Sequence, residues 1–129
     1  MSLVLTLLNA TFTIYHLRPE AKIPVSALNS PFFNITRTTD ELSILLPDTV
    51  EIQDAVREPG WSCFKVKGPL DFGLVGILAE ISSTLAESSV PLFALSTFET
   101  DYVLVKQEQA QNASEALKAA GFIIEKEIS

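Results

Sequence analysis

A repeated segment is the feature that most constrains the fold of this chain. Residues 33–45 align with residues 93–105 at a constant offset of 60, which places Glu41 under Asp101. In each copy an apolar stretch leads into a short polar turn and then into a second apolar stretch, the pattern of a β-hairpin. Self-similarity at a fixed spacing indicates repeated structural units. The fold must therefore hold two related hairpins within 129 residues, about the length of one ordinary domain.

The second copy carries a full set of elements. A strand over 62–67 ends at a Gly-Pro turn signal, and an amphipathic helix follows before the hairpin of 91–106. A second helix is predicted over 107–120, with Gly121 just after its end. A last strand covers 122–127, so the order is βαββαβ, the ferredoxin-like arrangement. Apolar residues three or four apart form the core-facing stripes of the two helices: Leu74, Ile77, Leu78, Ile81 and Leu85 in the first, Ala110, Ala113, Leu117 and Ala120 in the second.

The first copy is abbreviated. Residues 24–29 leave room for one or two helical turns, and the second helix is reduced to a segment over 50–57. The Pro59-Gly60 pair predicts the boundary between the copies. The fold class is therefore expected to be α+β, with two ferredoxin-like units in tandem over residues 1–59 and 60–129.

Composition excludes several functions. The net charge is −7 with nine Lys and Arg residues, which argues against nucleic acid because phosphate binding needs a basic face. One cysteine and one histidine rule out an internal disulfide and a Cys/His metal cluster. No P-loop, GxSxG, HExxH or dinucleotide motif occurs. We expect no cofactor, no metal and no catalytic machinery.

The first ten residues are apolar, but they lack a basic region and are too short to cross a bilayer. They predict a buried strand. No membrane association is expected, and a cytoplasmic location is predicted.

The loop and hairpin of the second copy resemble the ACT domains of the CASTOR type. The motifs are Gly68-Pro69-Leu70-Asp71-Phe72 and the string over 93–105, while residues 32–43 are similar to the first unit of small two-ACT proteins. The resemblance covers nearly the whole chain. Proteins of this kind, which include arginine sensors and the regulatory domains of aspartate kinase, bind small effectors, usually amino acids.

In the arginine sensors the ligand lies between two ACT units that each match the second copy. The resemblance therefore implies a homodimer whose C-terminal halves meet around an amino acid, together with a regulated protein partner. The resemblance, taken together with an open helical turn expected at 73–75, gives these expected ligand-binding residues: Asp71, Phe72, Gly73, Leu74, Val75, Ser96, Thr97, Phe98, Thr100 and Asp101. The sequence departs from the sensors at Glu99 and Thr100. This difference leaves open which amino-acid side chain of a ligand the pocket would select.

Simpler interpretations exist for several of these residues. Asp71 is also an expected helix N-cap, and Gly73 also suits close packing of helix on sheet. The ligand-binding interpretation of 73–75 is instead that their N–H groups form an open first helical turn, which attracts a carboxylate. Without the family resemblance, Asp101 would be interpreted as an ordinary solvated turn residue.

Two residues outside the predicted site also carry expectations. Glu41, with Arg37, forms a surface ion pair or the remnant of a second site. Trp61 is expected to be a buried anchor between the units.

The leading hypothesis is a non-catalytic regulatory protein that binds an amino acid. The carboxylate would meet the turn at 73–75, and a cationic group would meet Asp71 and Asp101, which favours a basic amino acid such as arginine or lysine. The first alternative is a dimeric protein-interaction adaptor without a ligand. A ferredoxin-like enzyme that uses carboxylates alone is a further alternative.

Overall fold

The computed structural model describes residues 3–67 and 75–128, which fold as two compact units. The larger unit consists of Met1–Asn9 together with Trp61–Ser129, and the smaller unit is Ala10–Gly60. By packing, the first nine residues thus group with the second half of the chain. The predicted division into family units at 1–59 and 60–129 stays a prediction.

The fold is mixed α/β. In chain order the elements are β1 (Val4–Leu17), α1 (Val25–Leu28), β2 (Asn34–Arg37), β3 (Leu42–Pro47), β4 (Val56–Val66), α2 (Ile77–Glu87), β5 (Phe93–Ser96), β6 (Asp101–Lys106), a 3₁₀ turn (Gln107–Gln109), α3 (Ala110–Ala119) and β7 (Ile123–Lys126). The order β4-α2-β5-β6-α3-β7 confirms the βαββαβ sequence of elements predicted for the second half. No helix in the described ranges has the length and apolar character needed to cross a bilayer.

The sheet of the larger unit contains a strand that the repeat did not predict. Residues 4–7 of β1 pair in parallel with β7, from Val4 with Ile123 to Leu7 with Lys126. On the other side of β1 lies β4, where the Lys67 amide donates to the Val4 carbonyl at 2.8 Å. The order in this unit is therefore β7-β1-β4-β6-β5. The second half of the chain does not complete this sheet by itself, because residues 4–7 separate its first and last strands.

The core of the larger unit lies between this sheet and the two long helices. Ile81 and Leu85 of α2 and Ala113 and Leu117 of α3 are buried, which confirms most of the predicted stripes. Ala120 is exposed because it caps the end of α3 rather than facing the core. Gly121 adopts φ 104°, a left-handed conformation that glycine permits at a helix end. Leu5 of β1 joins the same core, so the inserted strand also contributes apolar contacts.

The smaller unit is built on the strand order β2-β3-β1 and the short helix α1. Its core cluster contains Tyr15 of β1, Ala27 of α1, the β3 residues Leu42, Ile44 and Leu46, and Ile52. Asp48 closes the β1–β3 ladder, because its amide donates to the Thr11 carbonyl at 2.9 Å. Its carboxylate accepts hydrogen bonds from the hydroxyls of Thr11 and Thr13, both at 2.6 Å.

Two predictions for this part of the chain are wrong: the helical segment over 50–57 and the burial of Trp61. Residues 50–57 form no helix, and β4 already begins at Val56. Pro59 and Gly60 lie inside β4 instead of ending an element; Gly60 has φ 82°, a conformation that glycine adopts without strain. Trp61 is half-buried rather than buried, and its ring lies 6.3 Å from that of Phe93. The Pro59-Gly60 pair thus lies within a continuous strand, at the point where the smaller unit ends and the larger unit resumes.

We expect Asp48→Ala to lower the free energy of unfolding of the chain by about 1–3 kcal/mol, because it removes two hydrogen bonds to a charged acceptor. Urea denaturation measures this change. Asp40→Ala removes the same charge from an exposed turn of the same unit and should change stability by less than about 0.5 kcal/mol. Equal losses in the two variants would contradict the structural role of Asp48.

The Cys63 thiol of β4 should be inert in the folded protein. Burial, with a smaller contribution from the Glu127 carboxylate, raises the pKa of this fully buried thiol from 9.0 to about 12. We expect a thiol reagent such as Ellman's reagent to modify Cys63 only at the rate of unfolding.

The raised pKa also predicts a pH dependence of stability. Above pH 9 the unfolded chain releases the thiol proton while the folded chain keeps it, so the free energy of unfolding falls as the pH rises toward 12. In Cys63→Ala the free energy of unfolding should fall less steeply with pH than in the unmodified protein, by up to about 1.4 kcal/mol per pH unit. If the free energy of unfolding changed with pH in the same way in both proteins, the pKa of Cys63 in the folded state would not be raised.

Candidate functional site

The turn between β5 and β6 brings together four of the predicted ligand-binding residues: Ser96, Thr97, Thr100 and Asp101. The Thr97 amide donates to the Thr100 carbonyl at 2.8 Å. The Thr97 hydroxyl donates to that carbonyl at 3.2 Å and accepts from the Thr100 amide at 3.3 Å. The short polar segment is thus a closed turn with a fixed backbone, which a binding loop requires.

Thr100 holds this turn in place. Its side chain is 4% exposed, and its hydroxyl donates to the Val66 carbonyl at 2.5 Å. Val66 is the last residue of β4, so the bond connects the turn to the strand that leads into residues 68–74. The hydroxyl is committed to this backbone contact, which gives Thr100 a positioning role.

Ser96 and Asp101 face each other across the last pair of the hairpin. The Ser96 hydroxyl donates to Oδ1 of Asp101 at 2.6 Å. Asp101 is half-buried, and its carboxylate keeps further acceptor capacity because each oxygen has two lone pairs. The pair places one anionic group at the entrance of β6 with its orientation fixed by a serine.

Two apolar members of the predicted set are strongly exposed. Phe98 at the tip of the turn is 80% exposed, and Val75 is 89% exposed. Helix α2 begins at Ile77 after Gly76, which adopts φ 81°, so Val75 lies before the first helical turn. The prediction that the N–H group of Val75 belongs to the open first turn of this helix is therefore wrong. The remaining predicted residues, Asp71, Phe72, Gly73 and Leu74, lie outside the described residues.

The hairpin of the smaller unit has the same construction as this one. The Thr38 amide donates to the Glu41 carbonyl at 2.9 Å, and the Thr38 hydroxyl accepts from the Glu41 amide at 3.2 Å. Thr38 therefore corresponds to Thr97, and Glu41 corresponds to Thr100. The true offset between the hairpins is 59, as the strand pairs Asn34–Leu45 and Phe93–Leu104 also show.

The predicted offset of 60 is wrong by one residue, which is enough to exchange the two faces of a strand. Leu42, which is fully buried, and not Glu41, occupies the position of Asp101. The guanidinium of Arg37 is also not directed at Glu41, with which an ion pair was predicted. It donates to the carbonyls of Pro19 and Ala21. Glu41 lies 4.0 Å from Nε2 of His16.

Sequence reasoning missed two lysine–aromatic pairs along β4 and β6, one near the turn and one at the other end of β6. Trp61 pairs with Lys106 and Lys65 with Tyr102 across β4 and β6. The Lys106 Nζ lies 4.9 Å from the Trp61 ring centroid, and the Lys65 Nζ lies 6.0 Å from that of Tyr102. Burial, together with the nearby Cys63 and Glu99, raises the pKa of Tyr102. The available signal was that β4 and β6 each carry one lysine and one aromatic residue. These residues can be recognised as cross-strand pairs only when the register of the two strands is known.

The chemistry available at this turn is that of recognition. Over residues 3–67 and 75–128 no cluster of three or more His, Cys, Asp or Glu side chains is arranged to hold a metal ion. The turn offers one oriented carboxylate and an exposed aromatic ring, while its serine and threonine hydroxyls bond within the protein. Such groups suit a ligand with a cationic end and an apolar or amide part.

Comparisons with known proteins cover both parts of the chain. The ACT domain family matches residues 56–119, which include α2, the β5–β6 hairpin and α3. An N-terminal domain family matches residues 10–49, within the smaller unit. The two matches therefore do not overlap.

Similar solved structures include protein Atu0741 from Agobacterium tumefaciens, 35% identical, with a TM-score of 0.91 over 100% of this chain and 96% of that one. The ligand-free regulatory subunit of aspartate kinase from Thermus thermophilus is 10% identical, with a TM-score of 0.64 over 90% of this chain and 95% of that one. Aspartokinase III of E. coli, in complex with aspartate and ADP, is 14% identical, with a TM-score of 0.62 over 91% of this chain and 32% of that one.

The two kinase structures show the fold alone, and the CASTOR subgroup is not confirmed. The identity and coverage shared with Atu0741 show common family membership. The chain belongs to the same protein family as Agobacterium tumefaciens Atu0741, and its residues 56–119 match the ACT domain.

Proposed function

We propose that this protein is a non-catalytic regulatory ACT-domain protein that binds an amino acid. The observation that carries the proposal is the ACT match over residues 56–119, because it includes the turn that holds Asp101 in a fixed orientation. The likeness in fold to regulatory domains of aspartate kinase supports the same role. The protein would act by binding, since the groups at the turn are those of a recognition site.

The proposed ligand is a basic amino acid such as arginine or lysine. Its cationic group would bind the Asp101 carboxylate, which is oriented by Ser96 and keeps acceptor capacity. Phe98 would pack against the aliphatic or planar part of the ligand. Asp71 would complete the site on the ligand's ammonium group, as the family resemblance implies. The carboxylate would bind near residues 73–75, ahead of helix α2, which begins at Ile77.

The proposed assembly is a homodimer in which two C-terminal units meet around the ligand. Phe98 and Val75 support this arrangement because both are large apolar side chains with more than three quarters of their surface exposed. Apolar side chains of this exposure at a binding loop are typical of interaction sites. A ligand that binds only the assembled dimer would shift the population toward it.

The alternative is a dimeric adaptor that binds a regulated protein and no ligand. The exposed Phe98 alone favours this alternative equally well, because an apolar residue at a turn tip suits a protein partner. The two functions differ in the role of Asp101, which only a ligand-binding protein needs in its ionised form. In both cases a cytoplasmic protein without a cofactor is expected.

A panel of the twenty amino acids should contain at least one that raises the melting temperature of the protein. A ligand at about 100 times its Kd stabilises the folded state by about 2.7 kcal/mol. Asp101→Asn should greatly reduce this shift, because the neutral amide oxygen accepts a hydrogen bond from a cationic group but lacks the charge that strengthens it. Differential scanning fluorimetry checks both results.

Asp40→Asn is the matched control for that experiment. It makes the same change in the corresponding turn of the smaller unit, and it should leave the ligand shift unchanged. Absence of any shift with all twenty amino acids at millimolar concentration would reject the ligand hypothesis and favour the adaptor.

Phe98→Asp should weaken self-association, because it places a charge in the proposed apolar contact. Sedimentation velocity should show a dimer for the unmodified chain and more monomer for the variant. Thr39→Asp occupies the corresponding turn position of the other hairpin and should leave the dimer intact. A monomeric unmodified protein at high concentration, with and without ligand, would exclude the proposed assembly.

A further inference from the structure

β2 is the edge strand of the smaller unit. Within the part of the chain that the structure describes, β3 is the single strand that pairs with it. The Thr38 amide bonds to the Glu41 carbonyl, so residues 34, 36 and 38 direct their backbone groups toward β3. The N–H and C=O groups of the alternate residues, Ile35 and Arg37, therefore point away from the sheet. One more strand can pair with this edge.

β2 lacks the protection that edge strands normally have. Charged side chains or proline usually prevent such a strand from pairing, and β7 carries Glu125 and Lys126. The first three residues of β2 are neutral, and the guanidinium of Arg37 at its end donates to carbonyls of its own unit. Residues 23–36 contain no charged side chain, although 19% of the chain is charged. Two copies with a net charge of −7 each would therefore meet the least repulsion at this segment.

Exposed apolar side chains lie beside this strand. Phe33 directly precedes β2 and is 44% exposed, while Leu28 and Val25 of α1 are 49% and 70% exposed. Side chains alternate along a strand, so Phe33 and Ile35 face the same side of the sheet. α1 packs on that side as well, because Ala27 and Ile35 belong to one core cluster. The unpaired backbone edge is thus flanked by an apolar surface, a combination typical of interaction sites.

The larger unit differs at the corresponding position. There β5 is the edge strand, and its helix α2 exposes Glu80 and Glu87. α1 of the smaller unit carries no charged side chain. The neutral, apolar surface beside an edge strand is therefore particular to the smaller unit. It contains none of the residues of the turn at 96–101, so the proposed function does not use it.

We propose that β2 is an interface at which two copies of this chain pair. The pairing is antiparallel about a two-fold axis between the two Ile35 residues, so the same surface serves both copies. Each Ile35 amide donates to the Ile35 carbonyl of the second copy, and Phe33 lies opposite Arg37. Asn34 lies opposite Thr36, so no pair brings like charges together. The apolar side chains beside the strand lose part of their contact with water where the two sheets join.

A second copy suits this edge better than a segment of another protein. The register centred on Ile35 satisfies the outward backbone groups of both strands, because Ile35 pairs with itself and Arg37 pairs with Phe33. A charged peptide would find no opposite charge in residues 23–36. Since β2 has four residues, the interface is small, and we expect a weak dimer.

Hydrogen exchange in the full, ¹⁵N-labelled chain tests the proposal without a substitution. The Ile35 amide points away from β3, so it should exchange freely in the monomer and slowly in the dimer. Raising the protein from micromolar to millimolar concentration should slow its exchange by at least about 5-fold, because association favours the protected state by mass action. The Ala94 amide has the corresponding position in β5 and should keep its rate.

Two lysines on the edge strand should weaken the dimer. Asn34→Lys combined with Thr36→Lys places lysine opposite lysine twice across the two-fold axis. In a chain that also carries Phe98→Asp, which removes the contact proposed at the other turn, this pair should raise the dimer dissociation constant by at least about 10-fold. Sedimentation equilibrium measures that constant.

Thr39→Lys combined with Gln53→Lys is the matched control. It adds the same charge at exposed positions of the same unit, and it should leave the dissociation constant unchanged. Circular dichroism spectra identical to that of the unmodified protein would show that both variants are folded.

An Ile35 exchange rate independent of protein concentration would overturn the proposal, as would equal dissociation constants for the two lysine pairs. Slowing at Ala94 alone would locate the dimer contact in the larger unit and reject this interface. A chain that stays monomeric at millimolar concentration would reject self-association and leave the edge to a strand of another protein. Slowing at Ile35 that the lysines on β2 prevent would support the interface.

Discussion

The pairing of residues 4–7 with β4 and β7 is the interaction on which the larger unit depends. The parallel ladder with β7, the bond from the Lys67 amide to the Val4 carbonyl and the burial of Leu5 connect elements that are more than sixty residues apart. The side chains reinforce this arrangement, since Glu125 accepts from the Thr6 hydroxyl at 3.1 Å and lies 3.5 Å from the Lys67 Nζ. With β4 held in this way, the Val66 carbonyl is in place to accept the Thr100 hydroxyl. The geometry of the candidate turn thus follows from a strand at the other end of the sequence.

Local patterns predicted the elements well. Helix spacing identified α2 and α3, and alternation identified both hairpins, because each signal lies within one stretch of chain. The register between the copies was wrong by one residue, since Phe33 and Glu41 align well in sequence with Phe93 and Asp101 although the turn bonds require an offset of 59. The place of β1 could not be predicted either. A short apolar run indicates a buried strand without naming its partner.

The candidate site could be predicted only in part, because a sequence pattern reports on one stretch of chain and not on its distant partners. The sequence placed Ser96, Thr97, Thr100 and Asp101 in one turn, and the structure brings them together. It could not show that the Thr100 hydroxyl is committed to the backbone, because Val66 is distant in sequence and the bond depends on tertiary packing. The lysine–aromatic pairs were missed because they arise from the pairing of separate strands.

The insertion of β1 also has a consequence for the order in which the chain folds. The strand partners of residues 4–7 include residues 123–126. The larger unit therefore cannot complete its sheet until residues 123–126 have left the ribosome. The β2-β3-β1 pairings of the smaller unit lie within residues 10–60 and can form much earlier. Contacts so distant in sequence slow folding, because a large loop must close before they contribute. During synthesis, the edge of residues 4–7 that pairs with β7 therefore stays open, and a chaperone would be expected to protect it.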